Sequence, residues 1–472
     1  MVMGELEQET QVAVIGGGPA GYAAAFRAAD LGLEVSLVDP SPRPGGVCLY
    51  EGCIPSKALL WMSELIYDAG RAADIGVTFG APRIDLTALR RWKNRVIDTL
   101  ADGLAQLCRQ RGVQQLQARA SFEDAHHIRL EGGDIRRLRF QQAVIATGSR
   151  PVALPNVAPL PQGRIMDAAG ALALADLPKR LLVVGGGYVG LELGSVYAAL
   201  GSKIELVEAS GRLLAGVDDD LVAPLKKRLE NSFESVTFHT RITAMEERGD
   251  EVEVTFSDRK RPPQRYDRVL LAIGRMPASD DIGLENTAVR VSEEGFIRVD
   301  AQQRTVEPTL YAIGDVTGHP MLAHKASREG IVAAEVIAGR PSAFDARAVP
   351  TVVYTDPQIA CCGLTEARAD EEGRKVKIQR FPWRYSGRAA SMGVSDGLTK
   401  LIVDAESGRV LGAGVSGRQA EGLIAEAVLA IEMGALAEDI ALSIHPHPTL
   451  SETEAEAAAL FTGAATHLSA SR

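Results

Sequence analysis

Two short stretches carry the residue types that redox and proton chemistry need. The first, Gly45-Gly46-Val47-Cys48-Leu49-Tyr50-Glu51-Gly52-Cys53-Ile54-Pro55-Ser56-Lys57, holds two of the five cysteines. Cys48 and Cys53 stand at i and i+5. A regular helix at that spacing holds the α-carbons too far apart and turns the side chains away from each other, whereas a disulfide needs α-carbons within ~4.4–6.8 Å. If the pair is bonded, the backbone between the two must leave the helix. Gly52 gives it the freedom to do so, and Pro55 suits a helix that begins there. The alternative is a pair of buried, reduced thiols at a helix start. The second stretch is His445-Pro446-His447-Pro448-Thr449-Leu450-Ser451-Glu452. Its prolines stiffen the loop, imidazole is the natural proton acceptor for a thiol near neutral pH, and Glu452 can orient His447 and stabilise its protonated form. Read alone, His447 is also simply a surface histidine in a rigid loop.

Elements able to bring an electron acceptor to the cysteines lie on either side of them. Residues 11–15 form an apolar β run, followed by Gly16-Gly17-Gly18-Pro19-Ala20-Gly21. An alanine-rich helical segment from 20 to about 31 comes next, closed by Gly32, and a second β run over 34–38 ends in Asp39. Gly16, Gly18 and Gly21 permit a tight turn, close approach of a pyrophosphate, and close helix–strand packing. The helix N-terminus attracts phosphate, and Asp39 can hold a ribose hydroxyl. The same unit recurs with Gly185, Gly187, Gly190 and Glu208, each at the same offset from its counterpart. Two dinucleotide sites imply two nucleotides, and the commonest pairing is FAD with a nicotinamide. Glu208 favours NAD over NADP, since a carboxylate repels a 2′-phosphate; Arg212, four residues on, is the charge that complicates this.

With 472 residues, 46% apolar and 24% charged, the chain reads as several globular domains. Its net charge of −10 argues against nucleic acid or an anionic membrane as partner. No apolar run approaches the ~18 residues of a membrane span, and the acidic N-terminus resembles neither a secretory signal nor a transit peptide. A cytoplasmic location is expected, and no metal site. Residues 87–111 predict a long amphipathic helix on Leu89, Trp92, Val96, Leu100, Leu104 and Leu107, with Cys108 as packing. Residues 150–163 carry four prolines and read as a linker. Three strand-plus-glycine segments, over 143–149 with Thr147 and Gly148, 269–275 with Gly274, and 310–316 with Asp315, echo one another. The expected division is 1–150, 151–276, 277–349 and 350–472. The vicinal pair Cys361-Cys362 reads as part of a packed strand, with a soft-metal or redox role as the alternative.

The stretch around Cys48 and Cys53 resembles the redox-active motif of the class I flavoprotein pyridine nucleotide-disulfide oxidoreductases, in the form carried by the dihydrolipoamide dehydrogenase family. The resemblance runs from Val12 to Glu452. It implies an α/β fold with two Rossmann-like domains, for FAD and NAD, and a C-terminal α+β dimerisation domain. It implies a Cys48–Cys53 disulfide in which Cys48 meets the substrate and Cys53 the flavin. Asp315 matches the aspartate that bonds the flavin's ribityl chain, Lys57 and Glu192 match charges paired beside the flavin, and Ala323 begins a matching block. His447 and Glu452 match the catalytic pair, which in the family comes from the partner subunit of a homodimer; His445 is the second candidate. The implied reaction is oxidation of dihydrolipoamide on a lipoylated carrier protein, with NAD+ as final acceptor, within a 2-oxoacid dehydrogenase or glycine cleavage complex. The chain departs from the family at Tyr50, Gln358 and Pro446, where asparagine, glutamate and alanine are common. Mercuric reductases are the nearer rival, but the tail 462–472 has no cysteine pair and no CxxC segment precedes Val12. Glutathione-type reductases place arginines where Glu208 stands. A flavin-carrying electron-transfer subunit would have no need of Cys48, Cys53, His447 and Glu452 together.

Overall fold

A computed structural model describes residues 7–154 and 163–468. Most of the expected linker, the first residues of the acidic N-terminus and the end of the cysteine-free tail lie outside the described residues. The strand Glu7–Ile15 is the centre of the first sheet, parallel to Val35–Asp39 on one side and to Arg137–Ile145 on the other. Val12, Ala13 and Val14 are at most 1% exposed, the continuous apolar burial expected of a parallel strand covered on both faces. Gln114–Gln117 extends the sheet beyond Val35–Asp39, and Leu310–Ala312 returns from far along the chain to pair with the end of Arg137–Ile145. The helix Pro19–Asp30 buries its alanines against the helix Ala323–Ile337.

The second sheet repeats the plan with five parallel strands: Ser235–Thr237, Lys203–Val207, Arg180–Val184, Arg268–Leu271 and Ile165–Met166, in that order. Where the chain leaves and re-enters, Ser149–Pro151 pairs antiparallel with Arg275–Pro277. The third sheet is antiparallel, five strands from Thr351–Val353 to Val376–Pro382. Its core includes the fully buried Trp383, and the helices Ala420–Met433 and Glu452–Thr462 contribute to it. No helix among the described residues is long and apolar enough to cross a membrane.

Two expectations need correction. The long helix exists as Leu86–Gln110, capped by Asp85, but it buries Lys93, Ile97, Ala101, Ala105 and Cys108. The stripe expected from the large apolar residues lies one position away, and Leu100 is 44% exposed. From Ala101 onward small residues take the contact face because they let the backbone approach closely, while Lys93 is buried by donating to the Leu172 carbonyl; the leucines flank the face, and Trp92 stacks at a tilt on Trp61. The third strand-plus-glycine segment is strand only over Leu310–Ala312, and Gly314–Thr317 is a 3-10 turn. Gly314, at φ +80°, turns the chain so that Asp315 leaves the sheet.

Candidate active site

The cysteine segment is two helices with a break between them. Gly46–Tyr50 ends at Glu51, the chain turns at Gly52, and Cys53–Arg71 begins. Cys48 therefore sits in a short helix and Cys53 at the N-terminus of a long one, the geometry that their spacing requires if the side chains are to meet. Both are free thiols here rather than the expected disulfide, and the hydrogen bond between them splits their acidities. The Cys48 thiol is driven far above the usual thiol range by that bond and by burial. Cys53 is held down at about 7, first by the bond to Cys48 and then, against burial, by the Lys57 ammonium. A helix N-terminus favours a thiolate in the same direction.

What docks this segment is the first glycine turn. Gly45 N–H donates to the Gly17 carbonyl at 2.7 Å. Gly46, at φ +59°, lies so close that a Cβ there would stand 2.6 Å from the Gly18 α-carbon. Tyr50, unaccounted for by sequence, has a place here. Its hydroxyl donates to the Arg43 and Pro44 carbonyls at 3.1 and 3.3 Å, bracing the turn that delivers Cys48. Arg43 is tied in turn to Asp98 and Asp102 on the long helix.

Lys57 lies one turn into the helix from Cys53 and pairs with the buried Glu192 at 2.8 Å. Its ammonium also stands 4.5 Å above the Tyr354 ring, and Glu192 accepts the Tyr354 N–H at 3.0 Å. Replacing Lys57 with methionine is expected to raise the ionisation midpoint of Cys53 and to slow dithiol turnover by up to about tenfold at neutral pH. Thiolate absorbance of the reduced protein against pH measures this, and an unmoved midpoint would remove Lys57 from the role.

A cavity of about 630 Å³ is lined by Gly16, Gly18, Asp39, Cys48, Cys53, Lys57, Thr147, Gly148, Glu192, Asp315 and Ala323. Its features fit FAD. The N-terminus of Pro19–Asp30 opens on it, and Gly16 leaves no room for a side chain, since a Cβ would lie 2.3 Å from the Ala146 carbonyl oxygen. Asp39 holds the turn through the Gly17 N–H at 2.6 Å. The Thr147 hydroxyl is buried with no hydrogen-bond partner among the described residues, an orphan that a ligand would satisfy. A second cavity, about 870 Å³, is lined by Gly185, Gly187, Glu208 and Gly274. Burial opposes ionisation of Glu208, but the N–H groups of Ser210 and Gly186 outweigh it and hold the carboxyl below its usual range. Arg212 is turned to the Val217 carbonyl and to Asp219, so it is already engaged. The donor set fits NAD+ with a free 2′-hydroxyl. Tyr188, Val189 and Arg275 line both cavities, so the two nucleotide sites share a wall. Gly21 and Gly190 line neither; each packs its helix onto the preceding turn, where a Cβ would collide with the carbonyl of Gly16 or Gly185.

His447 and Glu452 lie elsewhere in the chain and line neither of these cavities. His447 Nδ1 is 2.8 Å from Glu452 Oε1, and Glu452 Oε2 accepts the Thr449 N–H at 2.7 Å. Burial opposes ionisation of Glu452, but the Thr449 N–H and His447 outweigh it and keep the carboxyl low. His447 remains 73% exposed, aimed outward. His445 is committed to Glu426 at 2.9 Å and to the Ser443 carbonyl. Cys361 and Cys362 lie in the strand Gln358–Gly363, Cys362 in the core and Cys361 half-buried at the wall of the second cavity, and burial pushes their thiols up to about 11 and 12.

Glu454, two residues beyond Glu452, is 1% exposed, and neither carboxyl oxygen has a partner among the described residues. Burial and the neighbouring Glu426 push it up to about 8. The folded chain thus binds a proton that the unfolded chain releases. The stability this gives is full below the ordinary carboxyl range and is lost as pH rises through about 8. Glu454→Gln is expected to gain roughly 4 kcal/mol relative to the unaltered chain between about pH 5 and about pH 9. Denaturant unfolding at both pH values checks it; parallel pH profiles would refute it.

Sequence reasoning missed a polar relay at the crossing strands. Arg275 Nε donates to Ser149 Oγ at 2.8 Å, and Ser149 donates to Asp315 at 2.5 Å. It also missed Glu329, buried, which accepts the Gly314 N–H at 2.7 Å and pairs with Lys325 to fix the Asp315 turn. The relay has no motif because its partners are more than a hundred residues apart, and the Lys325–Glu329 pair, one helical turn long, looks like an ordinary surface pair until the fold buries it. Tyr188 was legible only as the variable residue inside its glycine turn.

Residues 10–330 match the family model described as pyridine nucleotide-disulphide oxidoreductase, and residues 349–458 match its dimerisation domain. The chain is 46% identical over 465 residues to a protein named dihydrolipoyl dehydrogenase from Vibrio parahaemolyticus, covering 98% of each. It is 43% identical over 470 residues to the dihydrolipoyl dehydrogenase of Geobacillus stearothermophilus, covering 99% of each. Among solved structures, LpdA from Mycobacterium tuberculosis superposes with a TM-score of 0.89 at 26% identity, covering 95% of this chain and 99% of that one. The HOCl-induced flavoprotein disulfide reductase RclA from Escherichia coli gives 0.85 at 26% identity, over 96% and 99%.

Proposed function

The chain belongs to the pyridine nucleotide-disulphide oxidoreductase family, and on that premise we propose that it is a dihydrolipoyl dehydrogenase whose Cys48 and Cys53 take electrons from a dithiol. The observation that carries this reading is geometric: Cys48 and Cys53 together line the FAD-shaped cavity, with Lys57 and its partner Glu192 in the same wall.

In the oxidised enzyme the two sulfurs are bonded. His447 takes a proton from one substrate thiol, since only the thiolate attacks. The substrate sulfur bonds to Cys48 Sγ and the Cys48–Cys53 bond breaks, leaving Cys53 as thiolate. The second substrate sulfur attacks the first and closes the lipoyl ring, the bond to Cys48 breaks, and the proton of the second thiol passes to the departing sulfur, so that Cys48 leaves as a thiol. Lys57 and the helix N-terminus hold the Cys53 charge at the cavity wall, and Glu452 holds the imidazolium of His447. When bound, FAD would supply a two-electron acceptor at the cavity wall where Cys53 lies, and NAD+ in the neighbouring site would supply the final hydride acceptor. Gly16, Gly18, Asp39, Thr147, Gly148, Asp315 and Ala323 would hold the flavin nucleotide, and Gly185, Gly187, Glu208 and Gly274 the NAD+. His447 comes from the partner subunit of a homodimer, which accounts for its outward aim and for its absence from the cysteine cavity. The dithiol is a dihydrolipoyl group on a carrier protein of a 2-oxoacid dehydrogenase or glycine cleavage complex in the cytoplasm.

FAD-loaded protein mixed with dihydrolipoamide and NAD+ is expected to form NADH, and far less NADPH from NADP+. No NADH from a flavin-loaded dimer would overturn the reading.

A further inference from the structure

Outside the redox site, Lys400 is a buried charge, at 1% exposure in the strand Leu398–Asp404 of the third sheet. Its ammonium donates to Asp218, Asp220 and Glu366 at 2.7, 2.6 and 2.7 Å, one bond for each of its three N–H groups. Such a cluster stands only if each charge is answered, and Arg380 supplies the remaining cation to Asp220 and Glu366. The three carboxylates come from two places. Glu366 begins a short helix beside the third sheet, whereas Asp218 caps the helix Asp219–Ser232 of the second nucleotide unit. Asp218 accepts the Glu366 N–H as well.

Asp218 is also the end of a loop. The chain leaves the strand Lys203–Val207 at Glu208, runs along the second cavity, and reaches the cluster directly after Ala215, Gly216 and Val217, all of which line that cavity. At its near end Glu208 is fixed by backbone N–H groups. Within it, Leu214 is held at φ +48° and donates to the Gly186 carbonyl at 3.0 Å. The far end has Lys400. Cys361, which lines the same cavity, comes from the same sheet as Lys400 and feels the charges of both Asp218 and Lys400.

We propose that Lys400 is a positioning residue for the nicotinamide nucleotide: by gripping Asp218 and Asp220 from the C-terminal region, it holds the loop 208–218 in the shape that receives NAD+. This rests on the assignment of the second cavity to NAD+. The cluster touches neither the cysteines nor the flavin-shaped cavity, so its effect is confined to one half-reaction.

The test is calorimetric binding of NAD+ to FAD-loaded Lys400→Met and Asp220→Asn, with KM values for NAD+ and dihydrolipoamide measured beside it. Lys400→Met is expected to weaken NAD+ binding about tenfold or more, with KM for NAD+ rising in step. Flavin reduction by dihydrolipoamide without NAD+ should stay within about twofold of the unaltered enzyme. Asp220→Asn, which leaves the ammonium two carboxylates, should move the same quantities the same way by less, and it decides the matter if Lys400→Met does not fold. Unchanged NAD+ affinity in the folded variants, or equal losses in both half-reactions, would overturn the proposal. If the unaltered chain binds no NAD+, it is the assignment of the cavity that falls.

Discussion

Serine at Cys48 is expected to lower dihydrolipoamide oxidation by at least about four orders of magnitude while the protein keeps its flavin. The hydroxyl is nearly the size of the thiol and still donates to Cys53, so the short helix Gly46–Tyr50 and the low ionisation of Cys53 should both survive. What is lost is the sulfur that the substrate thiolate attacks, and with it any mixed disulfide. The flavin-shaped cavity is built mainly from backbone and from residues outside the cysteine segment, which is why binding is separable from turnover. Electron flow from NADH to a small artificial acceptor, which needs no cysteine, should continue in the variant. Dithiol turnover surviving the change would mean that Cys48 is not the attacked atom. Cys53→Ser tests the other half of the assignment. It removes the partner that raises the Cys48 thiol and leaves Cys48 no sulfur to pair with, so dithiol turnover is again lost, now without the thiolate beside Lys57.

How much of this is readable in the amino-acid sequence depends on how local each signal is. The two glycine turns with their acids were legible because all their determinants fall within one strand, turn, helix and strand; the sheets built on Glu7–Ile15 and Arg180–Val184 followed. The cysteine break was legible because Gly52 and the i, i+5 spacing leave the backbone few options. The face of Leu86–Gln110 was misread by one residue, since the choice between Leu100 and Ala101 depends on how near a neighbouring helix comes. Tyr50 was unreadable because its partners are carbonyls whose direction only the folded turn defines. Lys400 shows the same limit: its three carboxylates are brought together by tertiary packing, and each alone looks like a solvated surface charge. The resemblance to a family pointed to Cys48, Cys53, His447 and Glu452, but it offered nothing about Glu454 or the Lys400 cluster, where the structure speaks alone.

Alanine at His447 is expected to lower dithiol oxidation by a factor of about 10²–10⁴ and leave NADH oxidation by an artificial acceptor intact. The geometry says why so exposed a histidine should matter. Its Nδ1 is engaged by Glu452, which leaves Nε2 free and pointing away from its own chain. A base aimed outward serves only a site that another molecule presents to it. The consequence is sharper than loss of activity. Cys48→Ser and His447→Ala chains, each inactive, should recover turnover when their subunits are exchanged, because a mixed dimer pairs an intact Cys48 on one chain with an intact His447 on the other. With random pairing about half the dimers are mixed and each has one complete site of two, so about a quarter of the unaltered activity is expected. Exchange verified by mass measurement without recovered turnover would place the base within one subunit. It would then leave the 2.8 Å His447–Glu452 contact without a substrate to serve.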